Sequence, residues 1–353
     1  MLRHVLARAA ASVDRAVHDT VLSRSRKARM RSRAESLGHE DRMRALAHIR
    51  DVYDRPEHFA DTDAFFGGVP RITPRLVPVR MLAGGQVLDA SWPSDFAPHD
   101  ADVAERYLAP LPNRTAIARL FLHDGAPRPA VILIHGYRTG QFALEERVMP
   151  VTWLYERGLD VALAVLPFHA ARAERGRTLF PSSDPRFTNE GFRQAMLDLR
   201  ALAGFLRARG SRDVGVMGMS LGGYTTSLLA TVDEGLAFAV PMIPLASIAD
   251  FARDGDRYVG TAEERRLQHL ALEAAHRAVS PFARPARLDR ERILVIAGES
   301  DRITPIDHAR RLADHFGAPL ETFVGGHLLQ FGRAGAFRAV GRLLGRLGLT
   351  SRA

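Results

Sequence analysis

The sequence predicts an α/β protein built on a mostly parallel sheet flanked by helices, with a helical appendage at its N-terminus. Two observations carry the sheet. From residue 130 onward short apolar runs alternate with amphipathic helical stretches, and the runs are apolar throughout rather than at every second position, as strands covered on both faces are. The third observation is the opening stretch, whose apolar positions recur at spacings of three and four.

Taken in order, Leu2, Val5, Leu6, Ala9, Val13, Ala16, Val17 and Val21 form one helical stripe. Arg8, Asp14 and Arg15 break any apolar leader core, so a signal peptide is not expected. A basic run from Arg24 to Arg33 follows, then a second stripe of Met43, Leu46, Ile49, Val52 and Tyr53. Residues 1–60 are therefore expected as a helical appendage and 61–353 as the main domain. Gly67, Gly68, Pro70 and Pro74 mark the change of texture, and β-type runs follow at 76–81, 86–92 and 115–122, with Gly84-Gly85 as a hairpin signal. Further strands are expected at 130–134, 161–166, 214–219, 238–243, 293–297 and 320–324. Helices are expected at 143–157, 189–209, 221–231, 262–279, 306–316 and 337–347, with a mostly helical cap insertion at about 247–285. The stripe Phe192, Met196, Leu199, Leu202 and Leu206, closed by Gly210, makes the second of these the clearest.

Composition narrows the function classes. The 353 residues are 46% apolar and 25% charged, the balance of a globular protein, and the lack of Cys excludes a disulfide framework, thiol catalysis and thiolate metal ligation. The apolar run at 235–249 contains Pro241 and Pro244 and falls short of the roughly 20 residues that span a bilayer, so a cytoplasmic protein is expected. Of the net charge of +9, most sits in residues 1–33, where nine Lys or Arg face only Asp14 and Asp19. The rest is close to neutral, and no nucleic-acid partner is expected. The N-terminal helices allow three readings: a second cap element or homodimer contact, peripheral attachment to the inner membrane surface through residues 1–33, or a solvated appendage.

The chemistry lies in three short words. Gly218-Met219-Ser220-Leu221-Gly222 follows an apolar strand and precedes a helical run, the setting of a serine on a sharp strand-to-helix turn. A serine needs a base, and the base an orienting acid. Gly298-Glu299-Ser300-Asp301 places Asp301 after the next-to-last strand, with Glu299 as the alternative acid, and Gly325-Gly326-His327 places His327 after the last. The backbone N–H groups of Leu221 and of Tyr137, in His135-Gly136-Tyr137 after the 130–134 strand, are candidate donors to an oxyanion, with His135 orienting that loop. His169, Arg172, Arg138 and Met219 are candidate substrate contacts, and no metal or cofactor is called for.

VILIHGY, GMSLGG, GESDRITP and GGH in this order resemble the α/β-hydrolase superfamily of serine hydrolases, over about residues 76–347. LPFHAAR at 166–172 and DLR at 198–200 are nearest to uncharacterised bacterial hydrolases of the abhydrolase-18-like kind. The resemblance implies an eight-stranded, mostly parallel sheet with an antiparallel second strand, a Ser220-Asp301-His327 triad and a small-molecule ester substrate. The single Gly before Tyr137, in place of the HGGG of some esterases, speaks against a bulky tertiary-alcohol ester. A non-catalytic binding or scaffold protein and an acyltransferase with the same triad are the rival readings; a peptidase is less favoured, because no large gating domain is read ahead of the catalytic part.

Overall fold

The computed structural model describes residues 2–29 and 37–350, and side chains from 3–16 and 37–350. The whole basic run from Arg24 to Arg33, and with it the membrane reading of that run, lies outside the described side chains.

Helices α1 (Leu2–Arg29), α2 (His39–Tyr53), α3 (Glu57–Ala60) and α4 (Thr62–Phe66) precede a hairpin of β1 (Arg75–Leu82) and β2 (Gly85–Pro93). Helix α5 (Ala101–Leu108) leads to β3 (Thr115–His123), after which strand and helix alternate. β4 (Ala130–Ile134) is followed by α6 (Phe142–Val148) and α7 (Val151–Tyr155), β5 (Asp160–Ala164) by α8 (Pro185–Ala208), and β6 (Val214–Met219) by α9 (Leu221–Ala230). After β7 (Leu236–Met242) come α10 (Ile248–Asp254) and α11 (Ala262–Ala275), then β8 (Val295–Gly298), α12 (Ile306–Phe316), β9 (Leu320–Phe323) and α13 (Arg333–Arg346).

All nine strands join one sheet in the order β1-β2-β3-β5-β4-β6-β7-β8-β9. β4 through β9 run parallel, whereas β3 lies antiparallel to β5 and β2, and β1 antiparallel to β2. The sheet thus has one strand more than the eight the family resemblance implies. The addition is β1, an edge strand that is largely exposed, carries Pro78 and shifts register between Pro78 and Arg80. Those are devices that keep a free edge from pairing with another chain.

Alternate residues of β4 feed two cores. Ile132 and Ile134 pack with Phe192, Met196 and Leu199 of α8, and Val131 and Leu133 with Val340 and Leu343 of α13. Of the helix boundaries that differ from expectation, two have plain local reasons. Pro150 divides the stretch expected at 143–157 into α6 and α7. Helix α8 starts four residues early because Asp184 caps it, accepting from the Arg186 N–H, with Pro185 as its first residue.

The N-terminal stripe shows a larger difference. Helix α1 forms, but Val5 and Val13 of its apolar stripe are 58% and 37% exposed, while Ala10 and Asp14 are fully buried. The helix is rotated so that a carboxylate, not the valines, faces the protein. No helix among the described residues is long and apolar enough to cross a membrane.

Candidate active site

The strand order reverses beside β4. The chain leaves β4 toward β5 on one side and leaves β6 toward β7 on the other, so a crevice opens between the two loops at the carboxyl edge. Ser220 stands in it. Its φ of 58° and ψ of −113° belong to a region that side chains other than glycine rarely adopt. The turn is held by three backbone hydrogen bonds: Ser220 donates to the Met242 carbonyl at 3.0 Å, and its own carbonyl accepts from Tyr224 at 3.0 Å and Leu245 at 3.1 Å. Glycine on either side has a steric cause. A Cβ on Gly218 would lie 2.2 Å from the Gly222 carbonyl oxygen, and one on Gly222 2.1 Å from that of Ile134.

The loop after β4 passes against the serine, since a Cβ on Gly136 would sit 3.6 Å from that of Ser220. His135 fixes this loop: its Nδ1 is 2.7 Å from the Gly136 carbonyl, and its Nε2 accepts the Leu166 N–H at 3.0 Å, an arrangement for the neutral ring. Burial lowers its pKa accordingly. Tyr137 follows directly on this loop, and Leu221, as first residue of α9, has an N–H with no acceptor inside the helix.

The loops after β8 and β9 bring Asp301 and His327 together. His327 Nδ1 lies 2.7 Å from Asp301 Oδ2, while Asp301 Oδ1 accepts the N–H groups of Ile303 and Thr304, both at 2.8 Å. The Thr304 hydroxyl stands 3.0 Å from Asp301 Oδ2 and from the Ile243 carbonyl, tying the acid to the end of β7. Burial alone would depress the His327 pKa, but the Asp301 carboxylate, helped by that of Asp14, more than offsets it and holds the imidazole above the ordinary histidine range. Glu299, the alternative acid, is turned away: its two oxygens accept from Arg3 Nη2 at 3.0 and 2.9 Å, and Oε1 also accepts the Thr322 hydroxyl at 3.0 Å.

Ser220 and His327 line one cavity of about 1200 Å³, with Leu221, Tyr137, Arg138 and Met219 also on its wall. Its far side is built from α2, through Leu46 and Ile49, and from the insertion after β7, through Ile248, Phe251 and Leu272. A capping box of Thr261 and Glu264 sets the start of α11 in that insertion, and Gln268 Nε2 meets His39 Nδ1 of α2 at 3.0 Å. The apolar stripe of α2 was legible in the sequence. Its target, α11, was not.

Two expected substrate contacts are corrected. His169 and Arg172 are fully buried and lie off the cavity wall. The Arg172 guanidinium is committed to the Asp198 carboxylate at 2.8 Å and to the carbonyls of Val165 and Asn113 at 3.0 and 3.1 Å. This pair joins the two sequence words LPFHAAR and DLR and locks the loop after β5 onto α8. His169 places Nδ1 2.8 Å from the Pro167 carbonyl and packs its ring against those of His135 and Phe180. Burial, then the fields of His135 and Arg172, push its pKa down to about 3.

Among the described residues, Asp250, His269 and Glu273 bring metal-ligand types within 4.8 Å of one another. A cation is disfavoured there, because Asp250 already pairs with Arg253 at 2.8 Å and with Arg311.

Comparison with known proteins agrees with this architecture. Residues 192–318 match the model of the prolyl oligopeptidase family. The chain is 31% identical over 244 residues to an uncharacterized protein of Mycobacterium tuberculosis, covering 66% of this chain and 58% of that protein. It therefore spans little more than half the length of that relative. Among solved structures, an acetyl xylan esterase from Paenibacillus sp. R4 superposes with a TM-score of 0.56 at 15% identity, over 85% of this chain and 99% of that one. Acetyl xylan esterase 1 from a Thermoanaerobacterium species gives 0.55 at 17% identity, over 88% and 94%. With its crossover at β4, its serine turn after β6 and these matches, the chain has the α/β-hydrolase fold.

Proposed function

We propose that the protein is a serine hydrolase that cleaves carboxylic esters with an apolar acyl part. The observation that carries the reading is the meeting of a serine on a strained turn with a histidine 2.7 Å from a buried carboxylate, both facing one large cavity. His327 Nε2 takes the proton of Ser220 as Oγ adds to the ester carbonyl, and the Leu221 and Tyr137 N–H groups receive the oxyanion. Collapse breaks the bond to the alcohol oxygen, which leaves with the proton from His327. Water then loses a proton to the same histidine, adds to the acyl-enzyme and releases the acid, returning the proton to Ser220. Asp301 holds the ring and stabilises its cation throughout.

Both the prolyl oligopeptidase match and the fold shared with acetyl xylan esterases suit acyl transfer to water. The cavity wall favours esters over peptides. Its two carboxylates are both engaged, Glu145 by the Gly140 N–H at 2.7 Å and Asp184 by Arg106 and Arg186, so neither stands ready for a peptide's amino group. Apolar walls from Leu46, Ile49, Phe251 and Leu272 suit an acyl chain instead. Purified protein tested on p-nitrophenyl esters of graded chain length and on aminoacyl p-nitroanilides is expected to turn over the esters at least about tenfold faster in kcat/KM. Ser220→Ala is expected to abolish both activities. Equal or faster anilide cleavage would turn the reading to a peptidase.

A further inference from the structure

Helix α1 comes from the opposite end of the chain, yet Asp14, its buried acid among the described residues, ends on the two loops that carry Asp301 and His327. Asp14 Oδ2 accepts the His327 N–H at 2.6 Å and the Arg302 N–H at 3.3 Å, and Oδ1 accepts the Leu328 N–H at 3.0 Å. Asp14 is fully buried, and nothing in the serine mechanism uses it. Arg3 of the same helix makes only an exposed ion pair with Glu299 at the surface. The cost of burying this carboxylate is met by three amide donors converging on it from loops that would otherwise leave those amides to solvent.

The glycine pair before His327 is explained by the same contact. Gly325 is crowded by its own loop, since a Cβ there would lie 2.3 Å from the Phe331 nitrogen. Gly326 is crowded by α1: its Cβ would fall 2.4 Å from Asp14 Oδ2 and 3.3 Å from the Ala10 Cβ. Its φ is not in the left-handed region, so the backbone alone would accept alanine there. The second glycine is small because a helix from the other end of the chain docks on it.

We infer that α1 clamps the site, with Asp14 as a positioning residue that holds the His327 loop and the Asp301 loop in fixed relation to one another and to Ser220. The inference rests on the serine-hydrolase reading. It assigns to the N-terminal segment a role inside the catalytic unit, independent of any membrane or dimer contact. The charged groups that face the His327 ring are Asp301, from the loop after β8, and Asp14, from α1; both favour its protonated form. Neutralising Asp14 therefore lowers the pKa of the base as well as loosening its loop.

The test uses the whole 353-residue chain, wild type and the variants Asp14→Asn, Gly326→Ala and Arg3→Gln. It measures the rate of fluorophosphonate labelling at Ser220 across pH, and hydrogen exchange of the 325–331 segment. Asp14→Asn and Gly326→Ala are expected to label roughly tenfold or more slowly, since small misplacement of a catalytic group costs up to about a hundredfold. Their 325–331 amides are expected to exchange faster, and the acid limb of the Asp14→Asn profile to move to lower pH. Arg3→Gln, which removes an exposed ion pair, is expected to behave nearly as wild type. Should Asp14→Asn fail to fold, Gly326→Ala decides. Labelled wild type with unchanged rate, limb and exchange in the variants would overturn the clamp alone. Wild type that is never labelled at Ser220 would overturn the hydrolase reading and the positioning role with it.

Discussion

The loops after β5 and β9 each carry a histidine to the same edge of the sheet, His169 fully buried and His327 on the cavity wall, and the two rings have opposite chemistry. His327 faces the carboxylates of Asp301 and Asp14 and is held above the usual histidine range despite its burial. His169 faces His135 and the Arg172 guanidinium, and its pKa falls to about 3. Burial disfavours the charged ring in both places, so the sign of the neighbouring charge decides whether that effect is reinforced, as at His169, or overcome, as at His327. Position at the functional edge is shared; charge environment is not.

The sharpest way to break the comparison is to remove the charge from the β9 side. Asp301→Asn leaves the shape nearly unchanged but lets the His327 ring take the wrong tautomer, and kcat/KM for an ester is expected to fall by about ten-thousandfold. A loss of less than tenfold would place the orienting acid elsewhere. On the β5 side the expected effect is on stability. Arg172→Met strands the buried Asp198 carboxylate and is expected to cost about 3–5 kcal/mol in chemical unfolding. Whatever protein remains folded should label at Ser220 at close to the wild-type rate. A folded Arg172→Met protein that is catalytically dead would return Arg172 to the site.

A weaker effect follows from the depressed histidines. His169, near 3, and His276, lowered by burial to about 4, stay neutral in the folded protein while the unfolded chain protonates them below about 6.5. The unfolded state then binds more protons, so stability is complete above about pH 6.5 and falls as the pH drops toward 4. Melting temperature is expected to decline over that window, and less steeply in His169→Leu. An identical slope in the variant would show that His169 does not titrate as its surroundings imply. The acid limb of wild-type kcat/KM, governed by His327, is expected to lie above the ordinary histidine value of about 6.5.

What could be read from the sequence followed the range of the interactions. The serine turn, the acid loop and the histidine loop are local words, each bounded by a strand whose apolar run is itself local, and the structure sets them at one sheet edge. The nine strand-like runs all form strands; the family's count of eight omitted the β1 edge. His169 and Arg172 were placed at the right edge but given the wrong orientation, because their direction depends on Asp198 and His135, which only the folded chain brings near. Asp14 left no local signal. It occupied a helical stripe as an interruption, and the contact that explains it lies 313 residues away. The glycine at 326 was the nearest trace, read as a loop feature when its cause was a helix.

The measurement that bears most directly on the central claim is mass mapping of a fluorophosphonate adduct on the wild-type protein, with Ser220→Ala and His327→Ala alongside. A single adduct on Ser220, absent from the first variant and strongly reduced in the second, is the expected result. Well-folded wild type that takes up no label, or takes it at another serine, would contradict the claim that this turn and this histidine form a working pair.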